Sequence, residues 1–320
     1  MMNIHDIAKL SGYSAATVSR VINCRKYVSD NAKLAVQKVI KEYDYVPNDV
    51  ARDLSKGKTH NIGVVMPHTK HPYYTGIING IMDAAFPAGY RIVLLPSMYN
   101  ADVEMNYLNR LRRKAYDAII FTSHGISLED LVNYQTYGSI VCCHDPGNYK
   151  ISAAYTERID SYLAAFKWAK EQNVHDVSIL LSRDFTLSAT SQLTRKAFSD
   201  VFGHAPSNDL LRTGIVTYED GYASARSLHE NNQTPDMIFS NGDDIAAGAR
   251  QFYLDNNLPV PMLIGQENQL SGQLLNLPTI DHNFHEIGRL AFELAISDET
   301  KQVSVESKFI LRNQKDCSDS

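Results

Sequence analysis

Four cysteines and one tryptophan in 320 residues leave little for covalent or metal-based construction. Cys24, Cys142, Cys143 and Cys317 form no Cys-x-x-Cys pair and have no ligand spacing to histidine, which argues against a zinc module or a disulfide framework. No apolar run is long enough to cross a bilayer, and residues 3–11 lack the apolar centre of a secretory leader, so a cytoplasmic chain with no membrane partner is expected. There is no glycine-rich phosphate loop, no Gly-x-Ser-x-Gly elbow, no His-Glu-x-x-His and no pair of carboxylates in a strand-end setting. Neither catalysis nor a cofactor or metal ion is therefore expected. Asp243, Asp244 and Glu267 could be recruited as acids, although two carboxylates at one helix start are ordinary dipole compensation. A strong charge excess is missing too: the net charge is −5, with 44% hydrophobic and 21% charged residues, a balance ordinary for a soluble globular chain of two or three domains.

The charge that is present is unevenly placed. Residues 1–58 hold ten Lys or Arg against six Asp or Glu, a net +4, whereas the remainder holds 21 against 30, a net −9. A basic end on an acidic body fits attraction to nucleic acid at that end alone. There, Asn3 and Asp6 have the form of a capping box, Ile4, Ile7, Ala8 and Leu10 follow at helical spacing, and Gly12 stops the helix. Ser14 can cap a second helix with Val18, Val21 and Ile22 inward and Ala15, Ala16, Thr17, Ser19 and Arg20 on or near its outer face. Ser29 can cap a third, whose Leu34, Val36, Val39, Ile40 and Tyr43 cover the first two. The turn Ser11-Gly12-Tyr13 sets the first pair as a helix-turn-helix that a DNA major groove accepts. Arg20 then projects where a guanidinium reaches guanine O6 and N7. Ser14, Thr17, Ser19, Asn23, Tyr27 and Ser29 carry hydroxyls or amides suited to phosphates, with Tyr27 also a candidate for a base. Pro47 can open a further helical segment on which Val50, Ala51 and Leu54 form one narrow apolar face, too short to stand without a partner.

From Asn61 onward strands and helices alternate. Apolar strands at 62–66, 91–95, 118–122 and 139–143 are separated by helices at 74–86, 103–113 and 128–137. The pattern restarts with helices at 160–172, 191–202, 218–230 and 245–256 around strands at 177–181, 210–213, 237–240 and 262–265, and 303–311 reads as a strand. The fold class is α/β, two similar lobes of parallel sheet covered on both faces, with a ligand cleft at the strand carboxyl ends.

The runs Asp6-Ile7-Ala8-Lys9-Leu10-Ser11-Gly12, Ala16-Thr17-Val18-Ser19-Arg20-Val21-Ile22-Asn23 and Tyr45-Val46-Pro47-Asn48-Asp49-Val50-Ala51-Arg52, with Leu54, resemble the LacI/GalR family of bacterial transcription regulators. Looser similarity continues through Ile62 to Pro67, Pro72-Tyr73-Tyr74, Tyr116 to Ile120, Gly242-Asp243 and Leu277 to Ile280. The resemblance implies a DNA-binding domain over 1–46, a hinge helix and linker over 47–58, and a periplasmic-binding-protein-like effector and dimerisation domain over 59–320. Lobe 1 then covers about 59–155 and 283–307, lobe 2 about 156–282 and 308–314, and the chain crosses between them near Thr156, His282 and Phe309. It also implies a repressor that binds a pseudo-palindromic operator as a homodimer and answers to a small, carbohydrate-related effector. Ala15 and Ala16 take the family's two variable specificity positions, where they touch a thymine methyl or merely leave room. Asn48, Ala51, Arg52 and Leu54 take its hinge positions, with Leu54 wedged into the minor groove.

Effector contacts are expected from His71, Tyr73, Tyr74, Thr122, Ser123, Thr156, Thr194, Arg195, Asp243 and Glu267. The chain departs from its sugar-responsive relatives in having Thr194 where they carry Arg, with Arg195 one residue off register. It has Thr156 where they carry Asp, Gly242 where they carry Asn, and Glu267 where they carry Asp. An unusual sugar, a sugar phosphate, a non-sugar or no effector at all stays open. So do control by a phosphocarrier corepressor protein, as in the family's catabolite control proteins, and, more distantly, a small-molecule binding protein with no DNA role.

Overall fold

The computed structural model describes residues 2–25, 27–46 and 57–312, which fall into two units dividing after His60. In the first unit, α1 (Ile4–Ser11) begins at Asn3, whose side chain accepts from the His5 and Asp6 amides while Asp6 accepts from the Asn3 amide at 2.9 Å. Gly12, at φ +74°, ends it in the left-handed region where a glycine carries no steric penalty. Ser14 and Ser29 cap α2 (Ala15–Ile22) and α3 (Asp30–Glu42) by accepting from the Thr17 and Ala32 amides. Ile7, Val18, Val21, Val36 and Val39 form the core. Leu10, Leu34 and Tyr43, expected inside, are instead 48%, 66% and 48% exposed. Three short helices meet along one stripe each, and these side chains lie beyond it.

The second unit holds two six-stranded sheets. One has the order β11-β5-β4-β3-β1-β2, from β1 (Asn61–Met66), β2 (Arg91–Pro96), β3 (Ala118–Phe121), β4 (Ser139–Cys142), β5 (Ser152–Glu157) and β11 (Gln302–Glu306), all parallel. The other has the order β12-β10-β9-β8-β6-β7, from β6 (Val177–Leu180), β7 (Leu211–Arg212), β8 (Met237–Phe239), β9 (Met262–Gln266), β10 (Thr279–Asp281) and β12 (Lys308–Ile310), with only β12 antiparallel.

Strand alternation assigns each apolar residue to a face. Ile62, Val64, Ala118, Ile120 and Val141 meet Ile77 and Ile81 of α4 (Pro72–Ala85) and Ile287 and Phe292 of α12 (Phe284–Ala295). Val65, Ile119, Phe121 and Ile140 meet Leu108 and Leu111 of α5 (Ala101–Arg112) and Leu131 of α6 (Leu128–Tyr134) on the opposite face. The second sheet repeats the plan. α7 (Ile159–Glu171) and α8 (Ala189–Phe202) cover Val177, Ile179 and Phe239, while α9 (Tyr218–Glu230) and α10 (Asp243–Asp255) cover Leu180, Ile238 and Leu263. A short α11 (Leu270–Leu274) follows β9. Cys142 and Cys143 are buried, free thiols, and burial pushes the Cys142 thiol up to about 12.

Several features differ from the sequence pattern, among them β10, α11 and α12, which it did not mark. β5 was not expected: Ser-Ala-Ala-Tyr-Thr-Glu has no β-branched run, and it holds as a strand because β4 and β11 flank it. The stretch 303–311 is also not one strand. β11 ends at Glu306 in the first sheet and β12 starts at Lys308 in the second, so the third crossing lies at Ser307, ahead of Phe309.

Candidate DNA-reading surface and interlobe cleft

Burying Val18 and Val21 of α2 fixes the rotation of that helix and leaves Ala16, Arg20 and Asn23 exposed, with Ala15, Thr17 and Ser19 half-buried. Several hydroxyls and amides expected at phosphates are already engaged. Ser14 accepts from the Thr17 amide at 3.2 Å and lies 3.0 Å from its hydroxyl; Asn23 donates to the Ser19 carbonyl at 2.8 Å; Ser29 caps α3. Tyr27, at φ +73°, is 98% exposed. The outward groups with no such task are Ala16, Arg20 and Tyr27. Asn48, Ala51, Arg52 and Leu54 lie outside the described residues.

In the second unit a cavity of about 250 Å³ opens where the strand ends of both sheets face each other. Of the expected contacts, His71, Tyr73, Tyr74, Thr122, Ser123, Thr156, Thr194 and Glu267 line it. Several serve the scaffold at the same time. The Tyr73 hydroxyl donates to the Thr122 carbonyl at 2.8 Å, the Thr122 hydroxyl to the Val65 carbonyl at 2.9 Å, and the Thr156 hydroxyl to the His282 carbonyl at 2.8 Å. The Tyr74 and Tyr99 hydroxyls pair at 2.9 Å, and Thr194 donates to the Thr190 carbonyl at 3.1 Å.

Asp243 and Arg195 are not in the lining. Asp243 is fully buried at the start of α10, where it accepts from the Thr279 hydroxyl at 2.6 Å and the Gln269 amide at 2.7 Å. Burial pushes its carboxyl up to about 7 against those two hydrogen bonds. It ties the segment after β9 to β10 and has no access to a ligand. Arg195, one residue past Thr194, is rotated outward on α8 and lies exposed over the Phe185 ring at 4.5 Å.

The sequence pattern missed Arg158, Arg183, His144, Asn241, Gln266 and His282, which also line the cleft. Arg183 and Asn241 follow strands that were recognised, and the rule that ligands gather at strand carboxyl ends reaches both. Arg158 follows the unrecognised β5 and gave no such signal.

Contacts join the lobes across the cleft: the Arg183 guanidinium of one lies over the Tyr99 ring of the other at 4.1 Å, and a polar set centres on His71. His71, which precedes α4, places Nδ1 3.1 Å from Glu267 Oε1 beyond β9, and its Nε2 lies 3.4 Å from the Asn241 amide beyond β8. The same Nδ1 is 3.2 Å from the Tyr73 amide, the open donor at the start of α4. It cannot serve both: bare, it caps the helix; protonated, it donates to Glu267. Burial opposes the charge on His71, but the Glu267 carboxylate and its hydrogen bond outweigh burial, so the pKa rises above 6.5. A raised histidine pKa stabilises fully below 6.5, and the contribution disappears as pH rises through the folded-state value. An NMR titration is expected to put the His71 midpoint above 6.5 and, in Glu267→Gln, below it, because burial and the Arg158 charge then lower it against only the weaker Asn241 contact. A midpoint indifferent to that substitution refutes the pairing.

A helix-turn-helix unit in one chain with two facing parallel sheets and a cleft at their strand ends defines a DNA-binding transcriptional regulator built on a binding-protein core. Residues 3–48 match the family described as "Bacterial regulatory proteins, lacI family", and residues 59–313 match "Periplasmic binding proteins and sugar binding domain of LacI family". The chain belongs to the LacI family; it is a regulator and not an enzyme. It is 35% identical over 309 residues to catabolite control protein B of Bacillus subtilis (strain 168), covering 97% of this chain and 99% of that protein. With the transcriptional repressor PurR of Pasteurella multocida (strain Pm70) it shares 26% identity over 98% of both chains. The lac repressor dimer bound to operator and the anti-inducer ONPF has the same fold, with a TM-score of 0.80 at 16% identity over 97% of this chain and 98% of that one.

Proposed function

We propose that the chain is a repressor that binds a pseudo-palindromic operator as a homodimer and is switched by a small molecule in the cleft. The observation that carries this reading is the His71 contact to Glu267 and Asn241, which spans the two lobes inside the cavity. A ligand entering there has to keep, replace or break that contact, so it binds the lobe arrangements unequally, which is what a switch requires. The homodimer is supported by exposed apolar residues spaced four apart, Met82 on α4 with Phe86 just past its end, and Leu270 and Leu274 on α11. Arg20 is assigned to a base edge, Ala15 and Ala16 to the specificity positions, and Ser19 and Tyr27 to phosphate or base contacts. Arg52 and Leu54 of the hinge take the phosphate and the minor-groove wedge, and the site of action is the cytoplasm.

Selection of binding sites from a random DNA pool tests the reading. A two-fold symmetric sequence with a pyrimidine–purine step at its centre is expected, and Leu54→Ala is expected to fold normally while binding that sequence more weakly and bending it less. Enrichment of asymmetric sites, or bending equal to wild type in Leu54→Ala, refutes the dimer or the wedge respectively. The similarity to catabolite control protein B supports a second reading, control by a phosphocarrier corepressor protein. Capture of that protein only when operator is present favours it over a ligand in the cleft.

A further inference from the structure

We propose that the effector is a polyhydroxylated anion, a sugar-sized molecule whose phosphate or carboxylate is held by Arg158 and Arg183. This rests on the cleft being the effector site. Both guanidinium groups line the cavity and both are half-buried. Among the described residues no carboxylate lies within ion-pair distance of either. Arg158 lies over the Phe284 ring at 5.4 Å with one long hydrogen bond, 3.5 Å, to the Tyr162 hydroxyl; Arg183 lies over the Tyr99 ring at 4.1 Å. An aromatic ring steadies a guanidinium by its face and leaves the N–H fork on its edge to be filled, and that fork matches a phosphate or carboxylate.

The negative groups of the lining do not answer this charge. Glu267 is turned to His71, and Asp145 is exposed with Oδ1 accepting from the Gly147 amide. An unpaired, partly desolvated cation is costly, and a ligand oxyanion removes that cost.

The hydroxyls follow from acceptors that lack donors. Asn241 Oδ1, Glu267 Oε2, His144 Nδ1 and His282 Nδ1 are buried and have no hydrogen-bond partner. The histidine tautomers are set by their neighbours. His124 Nδ1 lies 2.5 Å from the Ile126 carbonyl and must carry its proton, so its bare Nε2 accepts from His144 Nε2 at 2.9 Å and leaves His144 Nδ1 as a lone pair. His282 Nε2 donates to Gln266 Oε1 at 2.8 Å, which leaves its Nδ1 a lone pair as well. Burial keeps both imidazoles neutral, with His144 pushed down to about 3. Four acceptors beside two open guanidinium groups ask for a ligand that donates several O–H bonds and presents one oxyanion. The cavity, about 250 Å³, suits a single ring rather than an oligosaccharide.

Calorimetric titration of the full chain with glucose, glucose 6-phosphate, glucuronate and inorganic phosphate tests this. Glucose 6-phosphate or glucuronate is expected to bind at least about tenfold tighter than glucose, with affinity falling as salt rises. Arg158→Gln and Arg183→Gln should each lower anion affinity more than glucose affinity, so that the anion-to-glucose ratio falls toward one and the salt dependence flattens; inorganic phosphate and glucuronate tell a phosphate from a carboxylate. Should either variant fail to fold, the salt dependence of the wild-type protein and the neutral-versus-anionic ratio still decide. Equal affinity for glucose and its anionic relatives, no binding of either anion, or anion binding indifferent to both substitutions overturns the proposal. Operator affinity measured alongside separates it from the switch. Anion binding with no change in operator affinity ends the switch reading alone, whereas operator release by glucose with no preference for anions ends the ligand class alone.

Discussion

Arg20→Ala is expected to flatten base preference at one position in each half-site at about 1–3 kcal/mol per half-site, and in a dimer to weaken the selected operator by roughly one to four decades. Arg20 is exposed on α2, between Val18 and Val21, which are buried. Its side chain can be deleted without touching the core, so the melting curve should move by no more than a surface substitution does, within about 0.5 kcal/mol. Ala16 on the same exposed face has no donor or acceptor in its side chain, which leaves the guanidinium as the strongest reader of a base edge on this helix. Anisotropy titrations against every single-base variant of the operator give the answer. Loss confined to discrimination at one position supports base readout, while an equal loss on all sequences reduces Arg20 to a phosphate contact.

What the sequence made legible was local or repetitive. Capping by Asn3, Ser14 and Ser29 depends on residues three apart, and the parallel strands depend on apolar runs, so both could be read without knowing the tertiary structure. β5 escaped because its strand character comes from its neighbours in the sheet and not from its own side chains. Asp243 was assigned to the cleft by its place at a helix start, but depth decides its role, and Gly265 and Gly272 press so closely that a Cβ on either would fall 1.9 Å and 2.3 Å from its carboxylate oxygens. Arg195 shows the same limit at finer scale: one residue along α8 turns a side chain out of the cavity that Thr194 lines. Arg158 and Arg183 reach the cleft through the ends of β5 and β6, one strand unread and the other read without its consequence being drawn.

The same sheet-covering plan leads to the second large effect, Gly288→Ala. In lobe 1, α4 and α12 cross so closely that a Cβ on Gly80 would fall 1.9 Å from the His285 carbonyl oxygen and one on Gly288 would fall 2.0 Å from that of Ile77. In lobe 2, α9 and α10 repeat the crossing, with Gly221 at 2.2 Å from the Ile245 oxygen and Gly248 at 2.0 Å from that of Tyr218. The obstructing atoms are main-chain carbonyls within or at the start of helices, which cannot swing aside as a side chain can, so the helices have to separate and the packing beneath them opens. Gly288→Ala should therefore cost about 3 kcal/mol or more, a fall in Tm of roughly 6–12 °C. Gly203→Ala, where φ is +83° and no atom lies within 4 Å of the added Cβ, should cost only about 1 kcal/mol, the strain of a left-handed residue. Adding Gly80→Ala to Gly288→Ala should cost less than the two singles together, because helices already parted by one methyl have made room for the other. The displacement also reaches the cleft, since α12 begins at Phe284, whose ring packs on Tyr73 at 4.7 Å and beneath the Arg158 guanidinium at 5.4 Å. Thermal denaturation and ligand titration of the same variants connect the two effects: a melting point within a degree or two of wild type refutes the close crossing, and lost stability with ligand affinity intact refutes its link to the cleft.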